Sequence, residues 1–133
     1  THIVDLATLT GGIVTALGHF CAGVFCNDEK LLARINDAAD SSGEKIWRMP
    51  LWKDHKEFMR SQDADILNSN PSRNAHPIQG AAFLAFFVDD KIPWAHIDIA
   101  GVGNVEKDTD LFVNGPTGWG VRLLVDLAEE FAG

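Results

Sequence analysis

The sequence predicts a layered α/β protein with one hydrophobic core. Short apolar runs rich in β-branched and aromatic residues alternate along the chain with segments whose apolar residues recur at helical spacing. The length of 133 residues suits one domain, and the 46% of hydrophobic and 23% of charged residues are ordinary globular values. We see no internal repeat, low-complexity tract or second domain.

The first part of the chain predicts three strands followed by a helix. Residues 3–7, 13–17 and 22–26 are short apolar runs of the kind that forms buried strands. Asn27 is a suitable N-cap for the helix, acidic residues occupy the first turn, and Gly43 is expected to end it. The apolar residues at helical spacing are Leu31, Leu32, Ile35, Ala38 and Ala39.

The second half continues the alternation after an irregular stretch. Residues 47–74 carry only scattered apolar anchors and are expected to lack regular structure. Pro77 is expected to open a helix over residues 78–88, whose apolar residues on almost every side predict burial on most sides. Residues 94–99 predict a strand and residues 101–120 a loop region. The apolar residues of a last, amphipathic helix are Val121, Leu124, Leu127, Ala128 and Phe131.

Charge and composition exclude several classes of partner. The net charge is −8 and the 11 basic residues are scattered, whereas nucleic acids and anionic membranes attract clustered Lys and Arg. No apolar stretch approaches the roughly 20 residues that span a bilayer. Cys21 and Cys26 are too few for a disulfide framework and are predicted to be reduced, as in a cytosolic protein. The abrupt start on a hydrophobic strand suggests a chain cut out of something longer.

Side chains suited to catalysis are sparse. His96 and Asp98 share a face of the predicted strand and could contact one metal ion, but a buried Asp that accepts backbone N–H bonds beside a His bonded to a carbonyl is commoner. The histidines lack a recognised zinc spacing, and the serines lack a Gly-x-Ser-x-Gly motif. A cysteine nucleophile would need a base, for which His19 is close to Cys21 in sequence.

The glycine-rich loop after the first strand predicts binding through its backbone. Thr10-Gly11-Gly12 lacks the lysine of a P-loop and the Gly-x-Gly-x-x-Gly pattern of a dinucleotide site. Exposed N–H and C=O groups at the carboxyl end of a strand suit an extended peptide or amino-acid substrate.

Five motifs follow one another over nearly the whole chain. They are Asp-Leu-Ala-Thr-Leu-Thr-Gly at residues 5–11, Ala-Asp at 64–65 followed by Asn68, Phe-Leu at 83–84 with Phe-Val at 87–88, Trp-Ala-His-Ile-Asp-Ile-Ala-Gly at 94–101, and Pro-Thr-Gly at 116–118 with Gly-Val-Arg at 120–122. The ordered set resembles the leucyl aminopeptidase family of hexameric two-metal exopeptidases. The resemblance implies a three-layer α/β/α fold with a mixed, largely parallel sheet, of which residues 1–133 form the C-terminal part.

The same resemblance implies a substrate site of five residues. Backbone groups of Thr8, Leu9 and Gly11 would contact the bound peptide or the bicarbonate ion that serves as base. Ala100 and Gly103, together with Thr8 and Gly11, would line the pocket for the substrate's first side chain. Family members often carry methionine at the position of Gly103, which implies a roomier pocket here.

The resemblance further implies two divalent metal ions, zinc or manganese, bicarbonate, a homo-hexamer and a cytoplasmic location. The family's metal ligands and polarising lysine lie upstream, and its Asn-Thr-Asp-Ala-Glu-Gly-Arg signature should come shortly before Thr1. None of these segments is in this sequence, nor is the family's N-terminal domain. We therefore expect no catalytic residue and no metal ligand here, and an inactive piece of an enzyme that releases N-terminal amino acids from peptides.

Two alternatives remain open at this point. At residues 74–80, His76 and Gln79 stand where the family usually has small residues, and they either reshape the site near the second substrate residue or cap the helix. The protein could also be a non-catalytic scaffold or binding module of the same fold. If residues 3–7 form an interior strand of a larger sheet, the isolated chain would expose an unpaired edge that favours association.

Overall fold

A computed structural model describes residues 2–132, and a mixed four-stranded sheet forms its centre. The spatial order is β1-β4-β2-β3, and the bounds are β1 (Ile3–Ala7), β2 (Ala22–Cys26), β3 (Ile46–Arg48) and β4 (Trp94–Asp98). β1 is parallel to β4 and β2 is parallel to β3, whereas β2 and β4 are antiparallel. The predicted mixed, largely parallel sheet is confirmed, and β1 lies at one end of it.

Residues 2–132 form five helices, and the two faces of the sheet are covered by helices. They are α1 (Gly11–Leu17), α2 (Glu29–Ser42), α3 (Lys53–Glu57), α4 (His76–Phe86) and α5 (Val121–Ala132). α2 and α5 pack on one face against Val24, Ala95 and Ile97. α1 lies on the other face, where Ile13 contacts Gly23, and α4 packs between α1 and α3. The three-layer α/β/α fold is therefore confirmed.

The second predicted strand, residues 13–17, is wrong: this segment belongs to α1. Its β-branched residues favour a strand, but the Thr10 side chain accepts a hydrogen bond from the Ile13 N–H and so caps a helix. Ile13 is buried against the sheet, and the helix ends at Gly18 with a positive φ of 65°. Capping and packing outweigh local strand propensity here.

The helix α2 begins one residue later than predicted. Asp28 is its N-cap and accepts from the Leu31 N–H at 2.8 Å, while the side-chain oxygen of Asn27 accepts from the Trp94 N–H at 2.7 Å. Gly43 ends the helix as predicted, at a φ of 73° that few other residues adopt readily. All five apolar residues predicted for its inner face are buried.

The segment predicted to be irregular contains two regular elements. β3 is a three-residue strand that pairs with β2, and α3 is a helix of five residues. The predicted loop between β4 and α5 likewise contains a two-stranded ribbon of β5 (Asn104–Val105) and β6 (Gly115–Pro116). Such short elements carry almost no local periodicity.

The burial predicted for α4 and α5 needs correction. α4 begins at His76 with Pro77 in its first turn, but Phe86 and Phe87 at its C-terminal end are exposed. In α5 the buried residues are Leu123 and Leu127. Of the five apolar residues named from the sequence, Leu127 is therefore buried, and Leu123 was not among them. No helix within residues 2–132 combines the length and apolar character needed to cross a membrane.

Candidate functional site

The five residues of the predicted site lie on two loops at one edge of the sheet. β1 and β4 are parallel neighbours with Ala7 opposite Asp98, so their carboxyl ends meet at this edge. The loop after β1, which we define to include Gly11 at the first position of α1, carries Thr8, Leu9 and Gly11, all exposed. The loop after β4 carries Ala100 and Gly103, both half-buried. Ligands of open α/β sheets bind outside the carboxyl ends of the strands, which makes this edge the candidate site.

Asp98 connects the two loops. Its carboxylate is fully buried and accepts three hydrogen bonds: Oδ1 from the N–H groups of Leu9 (3.1 Å) and Ala100 (3.2 Å), and Oδ2 from the Thr10 hydroxyl (2.7 Å). The Thr10 oxygen also accepts from Ile13 at the start of α1. One carboxylate and one hydroxyl therefore hold the end of β4, both loops and the first turn of α1 together.

Gly103 lies beside Thr8. A Cβ atom at residue 103 would be 3.3 Å from Thr8 Cγ2 and 3.1 Å from the carbonyl oxygen of Ile99. The Gly103 N–H donates to that same Ile99 oxygen at 2.8 Å, and the Gly103 carbonyl accepts from the Thr117 N–H at 3.2 Å. Any side chain at residue 103 would thus occupy space next to Thr8.

The start of α4 packs directly on the loop after β1. A Cβ on Gly80 would clash with the Leu9 side chain, and a Cβ on Gly12 would be 2.9 Å from Cβ of His76. Glycine at residues 12 and 80 thus permits this close approach. His76 is half-buried beside Gly12, next to the exposed Gly11.

Gln79 holds the turn that precedes α4. Its side-chain amide donates to the carbonyl oxygens of Ser72 and Asn74, each at 2.7 Å. These bonds join α4 to the preceding turn. They do not reach the free N–H groups in the first turn of α4, so Gln79 braces the turn and does not cap the helix. Its Oε1 atom is buried without a hydrogen-bond partner among residues 2–132.

His96 and Asp98 do not share a ligand site. His96 Nδ1 is 2.5 Å from Asp5 Oδ1, and Asp5 Oδ2 accepts from Trp94 Nε1 at 2.7 Å. An ionised carboxylate only accepts, so Nδ1 carries the proton, and Nε2 is buried without a partner in the described part of the chain. The partner of His96 is thus a carboxylate instead of a carbonyl. Residues 2–132 contain no group of three or more His, Cys, Asp or Glu that could hold a metal ion.

The cysteines do not form a nucleophile with His19. His19 Nδ1 lies 2.7 Å from the carbonyl oxygen of Gly101. Cys21 and Cys26 are free thiols, and burial raises the pKa of both, which lowers the thiolate fraction that a nucleophile needs.

A cavity of about 880 Å³ lies beside the loop that follows β4, and none of the five predicted site residues lines it. Its wall includes Phe20, Leu111 and Trp119 together with Glu44 and Arg122. The five predicted site residues therefore lie outside the lining of this cavity.

The interpretation of Asp98 as a buried carboxylate that accepts backbone N–H bonds is confirmed, but sequence reasoning missed its partners and the role of Thr10. Thr10 carried one usable signal, because threonine before a Gly-Gly pair is a good N-cap. Asp98 carried none for its loop contacts, since its partners Leu9 and Thr10 are 89 and 88 residues away in sequence.

Comparison with known proteins identifies the family. A profile described as "Cytosol aminopeptidase family, catalytic domain" matches residues 1–125. A Chlorobium phaeobacteroides protein named "Probable cytosol aminopeptidase" is 48% identical over 130 residues, which are 98% of this chain and 25% of that protein. Its Synechococcus counterpart of the same name is 52% identical over 132 residues, 98% of this chain and 26% of that protein.

Solved structures of two enzymes are similar to this chain in both sequence and fold. A tomato leucine aminopeptidase variant with a lysine-to-glutamate substitution is 43% identical with a TM-score of 0.86, over 97% of this chain and 24% of that one. The bottromycin maturation enzyme BotP in complex with Mn is 34% identical with a TM-score of 0.93, over 99% of this chain and 29% of that one. The chain spans about a quarter of the length of the curated relatives it matches. It belongs to the cytosol aminopeptidase family.

Proposed function

We propose that this chain is the substrate-binding, C-terminal part of the catalytic domain of a two-metal aminopeptidase that releases N-terminal amino acids from peptides. The observation that carries the proposal is the meeting of the two loops at the carboxyl ends of β1 and β4. Thr8, Leu9 and Gly11 are exposed residues, and the Leu9 N–H donates to Asp98, so the remaining backbone groups of this loop would offer hydrogen bonds to an extended peptide. Membership of the cytosol aminopeptidase family supports the reaction class.

The first side chain of the substrate would enter a pocket formed by both loops. Thr8 and Gly11 come from the loop after β1, and Ala100 and Gly103 from the loop after β4. Because residue 103 is glycine, no side chain from this position fills the space beside Thr8. We infer that the pocket accepts bulky first residues. His76, beside Gly12, would lie near the second residue of the substrate.

The two metal ions do not fit the residues of this chain. Residues 2–132 offer no cluster of three potential ligands, and Asp98 is fully engaged with the loops. We infer that these groups are held by the rest of the polypeptide. The related enzyme BotP is in complex with Mn, which supports manganese as one candidate, beside zinc. The role of this chain is to bind and orient the peptide.

We also propose a cytoplasmic location and a homo-oligomer, a hexamer by the family resemblance. The family name supports the location. β1 ends the sheet within residues 2–132, and Ile3 on it is 40% exposed, so this edge is available for pairing. We infer that other parts of the same polypeptide cover this edge, so the proposal of a homo-oligomer rests on the family resemblance and not on β1.

The test compares the 133-residue chain with the full-length protein. Each is incubated with Mn²⁺ or Zn²⁺ and bicarbonate, and hydrolysis of a fluorogenic leucyl amide is followed. We expect hydrolysis by the full-length protein, loss of it with a chelator, and none by the short chain. Circular dichroism confirms that the short chain is folded. Hydrolysis by the short chain alone, or an inactive full-length protein, contradicts the proposal.

A further inference from the structure

The geometry points to Asp98 as the positioning residue that aligns the two halves of the substrate site. This inference rests on the proposed function. Asp98 is the last residue of β4, and its side chain is fully buried although a carboxylate is costly to remove from water. Three hydrogen bonds compensate for the burial, and all of them go to the two loops described above.

The arrangement of acceptors fixes the relative position of the loops. Oδ1 accepts from both Leu9 and Ala100, so a single atom is the common partner of a residue on each loop. Hydrogen-bond lengths vary by only a few tenths of an ångström, which limits how far one loop can shift against the other. Oδ2 holds the Thr10 hydroxyl and thereby the start of α1.

This coupling matters because the site is made from backbone and small residues. The proposed pocket takes Thr8 and Gly11 from one loop and Ala100 and Gly103 from the other, so its width depends on the distance between the loops. A leucyl side chain would reach well into such a pocket, whereas an alanyl side chain would barely enter it. Loss of the alignment should therefore reduce catalysis for leucyl substrates more than for alanyl substrates.

The experiment measures substrate selectivity in the full-length protein. Asp98→Asn keeps the shape and one carbonyl acceptor but removes the charge. We expect its kcat/KM for a leucyl amide to fall about 30-fold, because small misplacements of bound groups slow catalysis strongly. For an alanyl amide we expect a smaller loss of about 5-fold, since this substrate depends less on the pocket. Asp37→Asn, on the exposed face of α2, is the matched control and should leave both values unchanged.

The ratio of the two losses separates positioning from a general effect on folding. A variant that is merely less folded has fewer active molecules, so kcat/KM falls by the same factor for both substrates. Equal losses, or no loss, overturn the inference. If the wild-type protein hydrolyses neither amide, the proposed function and this inference both fail. If the wild type is active, the two kcat/KM losses of Asp98→Asn decide the inference on Asp98 alone.

A second pair of variants keeps the test decisive if Asp98→Asn does not fold. Thr10→Ser retains the hydroxyl that donates to Asp98 and caps α1, whereas Thr10→Val has the same shape without it. We expect the serine variant to keep the wild-type ratio of leucyl to alanyl hydrolysis and the valine variant to lower it. A valine variant with the wild-type ratio contradicts the inference.

Discussion

A buried glutamate caps a helix from a distant part of the chain, and its removal is the most direct test of the packing. Glu44 lies just after α2 and is 3% exposed. Its two carboxylate oxygens accept from the N–H groups of Gly120 and Leu123, each at 3.0 Å. Gly120 precedes α5 and has no side chain with which to cap it. Glu44 therefore performs the capping across 76 residues of sequence.

The cost of Glu44→Gln follows from these contacts. Glutamine retains one oxygen acceptor but turns an NH₂ group toward the second backbone N–H. A hydrogen bond to a charged group contributes about 1.5–3 kcal/mol, and a buried anion at a helix N-terminus adds up to about 2 kcal/mol. Burial of a neutral amide costs less than burial of a carboxylate, which offsets part of the loss. Arg122, at 3.7 Å, is largely exposed and contributes little. We expect a loss of about 2–3 kcal/mol in the free energy of unfolding.

The measurement is urea unfolding of the chain followed by tryptophan fluorescence. Glu44→Gln should lower the midpoint while the slope m stays unchanged, because the surface exposed on unfolding is the same. Glu129→Gln, an exposed glutamate on α5, is the matched control and should change the unfolding free energy by less than about 0.5 kcal/mol. A Glu44 variant as stable as this control would refute the capping role.

Three further outcomes follow from the structure. Gly103→Met in the full-length protein should lower kcat/KM for phenylalanyl amides relative to leucyl amides about 10-fold, since it narrows the proposed pocket; an unchanged ratio contradicts that pocket. Burial raises the pKa of Cys26 and Cys21, so iodoacetamide should alkylate these thiols of the folded protein slowly at neutral pH and faster only above the ordinary thiol pKa. Fast labelling at pH 7, measured by mass spectrometry, contradicts this expectation. Leu123→Ala should cost about 3 kcal/mol in urea unfolding because Leu123 is fully buried, whereas the half-exposed Val125→Ala should cost less than about 0.5 kcal/mol; equal costs contradict the assigned packing of α5.

The elements that sequence alone predicted are those with a strong local pattern. β1, β2 and β4 are short apolar runs, and α2 has both a capping residue and a regular apolar stripe. α1 was predicted as a strand because its residues favour one, and only the Thr10 cap and contact with α4 make it a helix. β3 exists through its pairing with β2, which is a contact between distant residues. No local pattern could have found it.

The candidate site likewise has a part that the sequence predicts and a part that it does not. The glycine-rich pattern after a strand predicted the loop that carries Thr8, whereas the site role of the loop that carries Ala100 came from the family resemblance. What holds those loops was not visible. Two of the three partners of Asp98 are 88 and 89 residues distant, and the contact of Asp5 with His96 joins residues 91 apart. Only the parallel pairing of β1 with β4 brings these groups together.

Asp98, Asp5 and Glu44 show how this chain uses acidic side chains away from the solvent. Each accepts two or more hydrogen bonds from donors far away in sequence. The hydrogen-bonding groups that the backbone offers to a ligand change little when the residue that carries them is replaced, because almost every residue offers the same N–H and C=O. The positions of these groups depend instead on the side chains that hold the loops. Substitutions at Asp98 and Thr10 should therefore alter substrate binding more than conservative substitutions at the exposed Leu9.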